Sequence, residues 1–580
     1  MTRTLRAILV IPVVAVLLAG CDDPFMDRFP EDRPSTQTYF KTKDELATYV
    51  YGLYSYLPGS DVYTGDFQSD NVEQKNYNRV VAGQQAVETD AGAAGWTWDY
   101  LRRVNVFLEN YQRADVPPEV AAHYAGVARF FRAWFYFDKV KRFGDVPWYS
   151  GTLQPGDSAL YKGRDPRTLV MDSVLADLNY AGEHVNVSAA PGEINRWAAL
   201  ALKARVALHE GTYRRYHGLD GADRFLQEAA DAAKRVIDGG VYRIYGTGHA
   251  DTDYRDLFLA SGATGGEVIL AHAYSTTLDL RHPANGTFIT GTLGAPGLTR
   301  SLVDTYLTKD GKPFTDVPGH DTLSFYSETR NRDPRLAQTM RTPGYTRIGG
   351  TTQLVPDFDV SRTGYQPIKF VASTAYDTYN TNDNHIPVLR FGEVLLDFAE
   401  ARAELGQLTQ GDLDLTINRL RDRVGMPHMD LGSLSADPVL AAQYPNVTGA
   451  QRAAILEIRR ERRVELAMEG RRYDDLMRWK AGALLVRPFD GMYFPGKGEF
   501  DLDHNGTVDV AIVDAVPAQK KSGVQYLVLG DAFVLSQGDR GRVRPHPDLV
   551  KVFDESKHYL WPLPLTELLL NKQLVQNPGW

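Results

Sequence analysis

A stretch from Asn195 to Gly211 carries alanine at positions 198, 199, 201, 204 and 207, and a second apolar-periodic stretch, 223–238, follows it and ends at Gly239-Gly240. Small side chains let a partner helix approach closely, so the spacing predicts a helix pair, with Gly211 placed to end its first member. The pattern returns at 389–406 and 411–424. Lys203-Ala204-Arg205-Val206-Ala207-Leu208 compares with Glu400-Ala401-Arg402-Ala403-Glu404-Leu405, each in a helix followed by a glycine and a second helix. Such pairs bury their apolar faces only by stacking on neighbours, which limits the chain to a stacked helical scaffold.

Further helices fit that scaffold. Thr42-Lys43-Asp44-Glu45 reads as a capping box, and Leu46, Tyr49, Val50, Leu53 and Leu57 recur behind it at helical spacing. Residues 97–113 read as a second helix and 168–183 as another. Between them, about Glu119 to Phe143 carries two apolar stripes, so this helix is expected to pack on two sides. The stretches 58–95, 240–385 and 486–550 are poor in helix but rich in Gly, Thr, Asn and Tyr, including Tyr326, Tyr345, Tyr365, Tyr376 and Tyr379. The expected fold is mainly α, with tetratricopeptide-like helix pairs and long, loop-rich, partly β insertions. It forms a single domain over 21–580: a helical part about 35–240, an insertion about 240–385, and a helical and loop part about 386–580.

The N-terminus reads as an address. Arg3 and Arg6 precede the apolar run Ala7–Leu18, which is shorter than the ~20 residues a bilayer span takes and matches a secretory signal. The one cysteine, Cys21, closes Leu18-Ala19-Gly20-Cys21, which resembles a bacterial lipobox; residues 1–20 would be removed and Cys21 lipidated. A single cysteine excludes a disulfide framework. With 64 Lys+Arg against 73 Asp+Glu, the chain lacks the basic footprint of a nucleic-acid binder.

Catalytic signatures are incomplete. His209-Glu210 begins a zincin-like pattern, but position 213 is Tyr. Gly156-Asp157-Ser158 lacks the glycine of a nucleophile elbow. Asp501, Asp503, Asn505 and Asp509, with Gly506, form the first part of a calcium loop, although Ile512 stands where an EF-hand has Glu; a structural Ca²⁺ is the corresponding expectation, against a plain Asp/Asn/Gly turn. The run Glu457 to Arg472 alternates in sign and reads as a solvated helix laced with i,i+4 pairs rather than a phosphate site.

Six ordered blocks then resemble the SusD/RagB family of Bacteroidetes outer-membrane nutrient-binding lipoproteins. They are Thr42 to Leu57; Ala128-Arg129-Phe130-Phe131-Arg132-Ala133-Trp134-Phe135-Tyr136-Phe137 with Phe143-Gly144-Asp145-Val146-Pro147; Ala201 to Gly211; Ile386-Pro387-Val388-Leu389-Arg390-Phe391-Gly392-Glu393; Glu461-Arg462-Arg463-Val464-Glu465-Leu466 with Glu469-Gly470-Arg471-Arg472-Tyr473-Asp474; and the ending Leu560-Trp561-Pro562-Leu563-Pro564 with Gln576-Asn577-Pro578-Gly579-Trp580. The resemblance implies a surface lipoprotein, Asp22-Asp23 being similar to the family's export signal, held in the outer membrane by the Cys21 lipid. It implies a partner, a SusC-like TonB-dependent transporter, and capture of an oligosaccharide, without catalysis and without a required cofactor. It also implies a ligand site lined by the N-terminal loop and the middle insertion. Sugar rings stack on aromatic faces and pair their hydroxyls with amides and carboxylates. The candidate ligand residues are therefore Trp96, Trp98, Asp70, Asn71, Tyr345, Tyr376 and Tyr379. Peptide capture, a surface glycoside hydrolase and a protein-binding scaffold are the competing readings.

Overall fold

The computed structural model describes residues 39–188, 192–259, 266–530 and 533–580; the signal segment and Cys21 lie outside them. Helix α1, Lys43–Leu53, starts at the expected capping box: the Glu45 N–H donates to Thr42 Oγ1 at 3.3 Å, and the Thr42 N–H donates to Glu45 Oε2 at 3.0 Å. Helices α2 (Asp99–Asn110), α3 (Pro118–Phe143), α4 (Arg167–His184), α5 (Arg196–His217) and α6 (Ala222–Asp238) follow. Both stripes of α3 are buried from Tyr124 onward, as its two-sided pattern predicts.

Gly211 does not end its helix. It lies inside α5, where a Cβ would fall 2.7 Å from Leu226 Cγ and 2.9 Å from the Leu226 backbone nitrogen of α6. Its role is close approach, and the helix stops at Gly218, which takes the left-handed conformation (φ 71°) open to glycine. The alanines at 198, 199, 201, 204 and 207 are all buried.

The second pair opens with α7, Phe391–Glu404. Its expected partner is broken at Thr416 into α8 (Gln410–Leu415) and α9 (Ile417–Arg423). Helices α10 (Arg452–Glu465) and α11 (Arg472–Arg478) complete the scaffold, and α12 (Leu565–Leu570) lies near its end. Packing runs α3 on α4, α4 on α5, α5 on α6, α6 on α7 and α7 on α10. This is the stacked arrangement the helix pairs require.

The helix-poor stretches are tied down by short strands. Strands β1 (Val72–Glu73) and β3 (Gly297–Leu298) pair with each other, and β2 (Val268–His272) pairs antiparallel with β4 (Ile386–Arg390), closing the middle insertion at its base. Strands β5 (Gly498–Phe500), β6 (Val510–Val513) and β7 (Gln525–Val528) form a small sheet, antiparallel then parallel. Two apolar cores result. One fills the helical scaffold; the other joins the insertion to the 492–543 region. Helix α10 contributes to both, with Leu456 and Ile458 in the first and Val464 in the second.

This position corrects the reading of the charged run. Helix α10 is not solvated: from Ala454 to Glu465 every residue is buried. Its charges are matched across elements instead. Glu465 pairs with Arg335, Arg390 and Arg423 at 3.0, 2.9 and 2.6 Å; Glu461 pairs with Arg335 and Arg421; Arg462 pairs with Asp397 and Asp475. Buried charges persist only when paired and hydrogen-bonded, so the network fixes how the two cores meet.

Candidate ligand-binding surface

The N-terminal loop is joined to the middle insertion along one seam. Val72 lies opposite Leu298 and Glu73 opposite Gly297. Gly297 permits this, since a Cβ there would fall 2.3 Å from Thr363 Oγ1. Past the strands, the Lys75 N–H donates to the Gly294 carbonyl at 2.8 Å, and His546 Nε2 lies 2.8 Å from the Gln74 carbonyl. Tyr77 meets the His546 ring edge-on at 5.8 Å, and its hydroxyl donates to Gln84 Oε1. At the other end, Leu293 and Tyr379 both border Gly286. A run of contacts thus connects Tyr77 to Tyr379. These rings are 40% and 66% exposed, with Lys75 and Asn76 exposed beside Tyr77. Aromatic faces flanked by amides and an ammonium group suit a polyol with apolar ring faces.

Most of the residues expected from sequence sit elsewhere. Asp70 and Asn71 are buried, which corrects their expected role toward a ligand. Asp70 accepts from Arg472 at 2.7 and 2.9 Å, and Asn71 Oδ1 accepts from Arg463 Nε at 2.9 Å. Burial alone would raise the Asp70 carboxyl, but Arg463 and Arg472 overcome it and hold it at about 2. Trp96 is 3% exposed and packs edge-on against Phe143 at 4.9 Å and Trp98 at 5.3 Å, which corrects it as an open stacking face; with Trp98 it borders the cavity beside α2. Tyr345 is buried, its ring within 5.6 Å of both Arg255 and Arg341, so its face is not open to a sugar. Tyr376 is half-buried; its hydroxyl is bonded to Asp383, which raises its pKa, with burial adding. Tyr379 is open to solvent, and Trp98 is half-buried on the wall of a cavity beside α2. Sequence reasoning missed Tyr77, because only the pairing of β1 with β3, 225 positions apart, brings the 74–77 loop to the insertion.

The Asp501 loop closes partly on its own backbone: Gly506 N–H donates to Asp501 Oδ2 at 2.7 Å and Asn505 N–H to Asp503 Oδ1 at 3.2 Å. One oxygen from each of Asp501, Asp503 and Asp509 lies within 4.8 Å of the others. Burial, opposed by the Leu502 N–H but helped by Asp503 and Asp501, raises the Asp509 carboxyl. Ile512 is buried in β6, so the twelfth position adds no ligand.

Comparison with known proteins places this architecture. The SusD family profile matches residues 267–580, and a second profile, described as starch-binding associating with outer membrane, matches residues 25–208. The chain belongs to the SusD family. Among curated relatives, SusD-like protein P2 of Formosa agariphila is 23% identical over 98% of both chains, and SusD-like protein P38 of the same organism is 24% identical over 80% of this chain and 89% of its own. A solved SusD-like protein from Bacteroides fragilis is similar with a TM-score of 0.69 at 21% identity, covering 95% of this chain and all of its own. A SusD-like carbohydrate binding protein from the same species gives 0.68 at 22% identity, covering 93% of this chain and all of its own. As in these SusD-like folds, the scaffold of this family member is helical with few strands. No helix among the described residues is long and apolar enough to cross a membrane.

Proposed function

We propose that this SusD family member captures an oligosaccharide or polysaccharide at the cell surface and passes it, unchanged, to a SusC-like TonB-dependent transporter. The lipidated Cys21 would anchor it in the outer membrane. The observation that carries the reading is the seam, where Tyr77 and Tyr379 are exposed on segments tied together by the Lys75–Gly294 hydrogen bond and the Leu293 and Tyr379 contacts at Gly286. The family membership and the carbohydrate binding neighbour support a glycan as the ligand class. A structural calcium ion at Asp501, Asp503, Asn505 and Asp509 belongs to the same proposal, supported by the convergence of three carboxylates. Its test is titration with CaCl₂ against Asp503→Asn.

The test of capture is affinity electrophoresis and calorimetry of the full chain against plant, algal, fungal and host polysaccharides, with peptides in parallel and a reducing-end assay on every binder. Retention of one glycan without new reducing ends is expected. Cleavage would move the protein to the hydrolases, and binding of peptides alone would move the ligand class.

A further inference from the structure

The cavity beside α2 is built of other residues than the seam. It encloses about 390 Å³, within the range of roughly 300–1,000 Å³ usual for small-ligand sites. Trp96, Trp98, Tyr149 and Tyr161 form its aromatic walls, and Leu101 and Leu570 are among its apolar residues. Trp98 is held by Trp96 at 5.3 Å, Tyr149 at 5.9 Å and Phe135 at 5.7 Å. Tyr161, also on the lining, is 53% exposed.

The polar groups are as informative. Asp99 and Glu567 are among the lining residues, and neither carboxylate makes a hydrogen bond or ion pair with another described residue. Arg102, also on the lining, donates through Nη1 to the Leu153 carbonyl and makes no ion pair with another described residue. Lys162, by contrast, is tied to Asp165 and the Trp148 carbonyl. The cavity therefore offers flat apolar faces, two unengaged acceptors and one donor fork. That combination matches a neutral pyranose, whose C–H face stacks while its hydroxyls both donate and accept. Two carboxylates without an ion-pair partner, against Arg102 as the one lining cation not tied to a carboxylate, disfavour a uronate.

We propose that this cavity is a second carbohydrate site, separate from the seam, which takes a neutral sugar ring against Trp98 and Tyr161. It rests on the glycan reading above. Two sites on one surface protein would hold a polymer by avidity, each adding to the retention of the other.

The test soaks crystals of the full chain separately in glucose, galactose, mannose, xylose, N-acetylglucosamine and glucuronate. The sugar seen in density is then titrated in solution by tryptophan emission. A neutral ring stacked on Trp98 or Tyr161 is expected, with no glucuronate. Tyr161→Ala should weaken the solution response about tenfold or more, equivalent to about 1.4 kcal/mol, whereas Tyr161→Phe keeps it. No neutral sugar in the cavity, or a response untouched by Tyr161→Ala and Glu567→Gln (binding at crystal concentration only), overturns the proposal. Density at Tyr77 and Tyr379 alone would overturn it while leaving capture at the seam intact. Density in the cavity alone would do the reverse.

Discussion

Asp70 accepts from Nε and Nη2 of the Arg472 guanidinium, at 2.7 and 2.9 Å, across 402 positions of the chain. Arg463 adds a further contact at 3.1 Å, so one buried carboxylate holds two buried cations. Asp70→Asn leaves that charge unmatched and should cost about 3–5 kcal/mol in denaturant unfolding. The pH dependence has a definite sign. The folded carboxyl sits at about 2, below its ordinary 3.8, so its contribution is present above 3.8 and lost as pH falls through about 2. Asp70→Asn should remove that acid-limb loss.

Asp397 behaves oppositely. Burial raises its carboxyl to about 7; Arg462 opposes the shift and the neighbouring Glu393 adds to it. A raised carboxyl favours the folded state below 3.8, and that advantage is lost as pH rises through about 7. Asp397→Asn keeps an oxygen for Arg462 and should flatten stability between pH 5 and 8, read from denaturation midpoints.

Gly211 separates a packing role from a capping role. A cap glycine replaced by alanine would fray one helix end. Here Gly211→Ala drives a methyl into Leu226 of the facing helix and should cost about 1–3 kcal/mol. Gly218→Ala should instead act locally, by about 1 kcal/mol through its left-handed backbone.

Trp96→Ala should act on the fold. The ring packs edge-on against Phe143 and Trp98 at the inner side of the cavity beside α2, so its removal should cost about 3–5 kcal/mol and lower Tm. A full Tm with weakened glycan binding would return Trp96 to the ligand site.

The helices were legible because apolar periodicity is local: α3 and α4 lie within a residue of where the pattern puts them, and α1 starts at its capping box but stops at Leu53, short of Leu57. The charged run misled because alternating sign looks alike on a solvated helix and on a buried one whose partners come from other elements. Glu465 finds Arg335, Arg390 and Arg423 only after three segments converge. Gly211 misled because a glycine that ends a helix and one that admits a neighbour share one letter. At the candidate site, residue type found aromatics and polar groups, but burial divided them: Tyr379 is outside, while Asp70, Asn71, Trp96 and Tyr345 are inside. Tyr77 gains its place only through a two-residue strand pairing that sequence spacing does not announce.

The central claim is capture at the seam. Its most direct measurement is calorimetry of the full chain and of Tyr77→Ala/Tyr379→Ala with the polysaccharide the chain retains. Each exposed ring contributes stacking of about 1 kcal/mol, so the double variant should bind at least about tenfold more weakly, with an unchanged Tm. Affinity equal to that of the unsubstituted chain would contradict the account and place the glycan elsewhere on the protein.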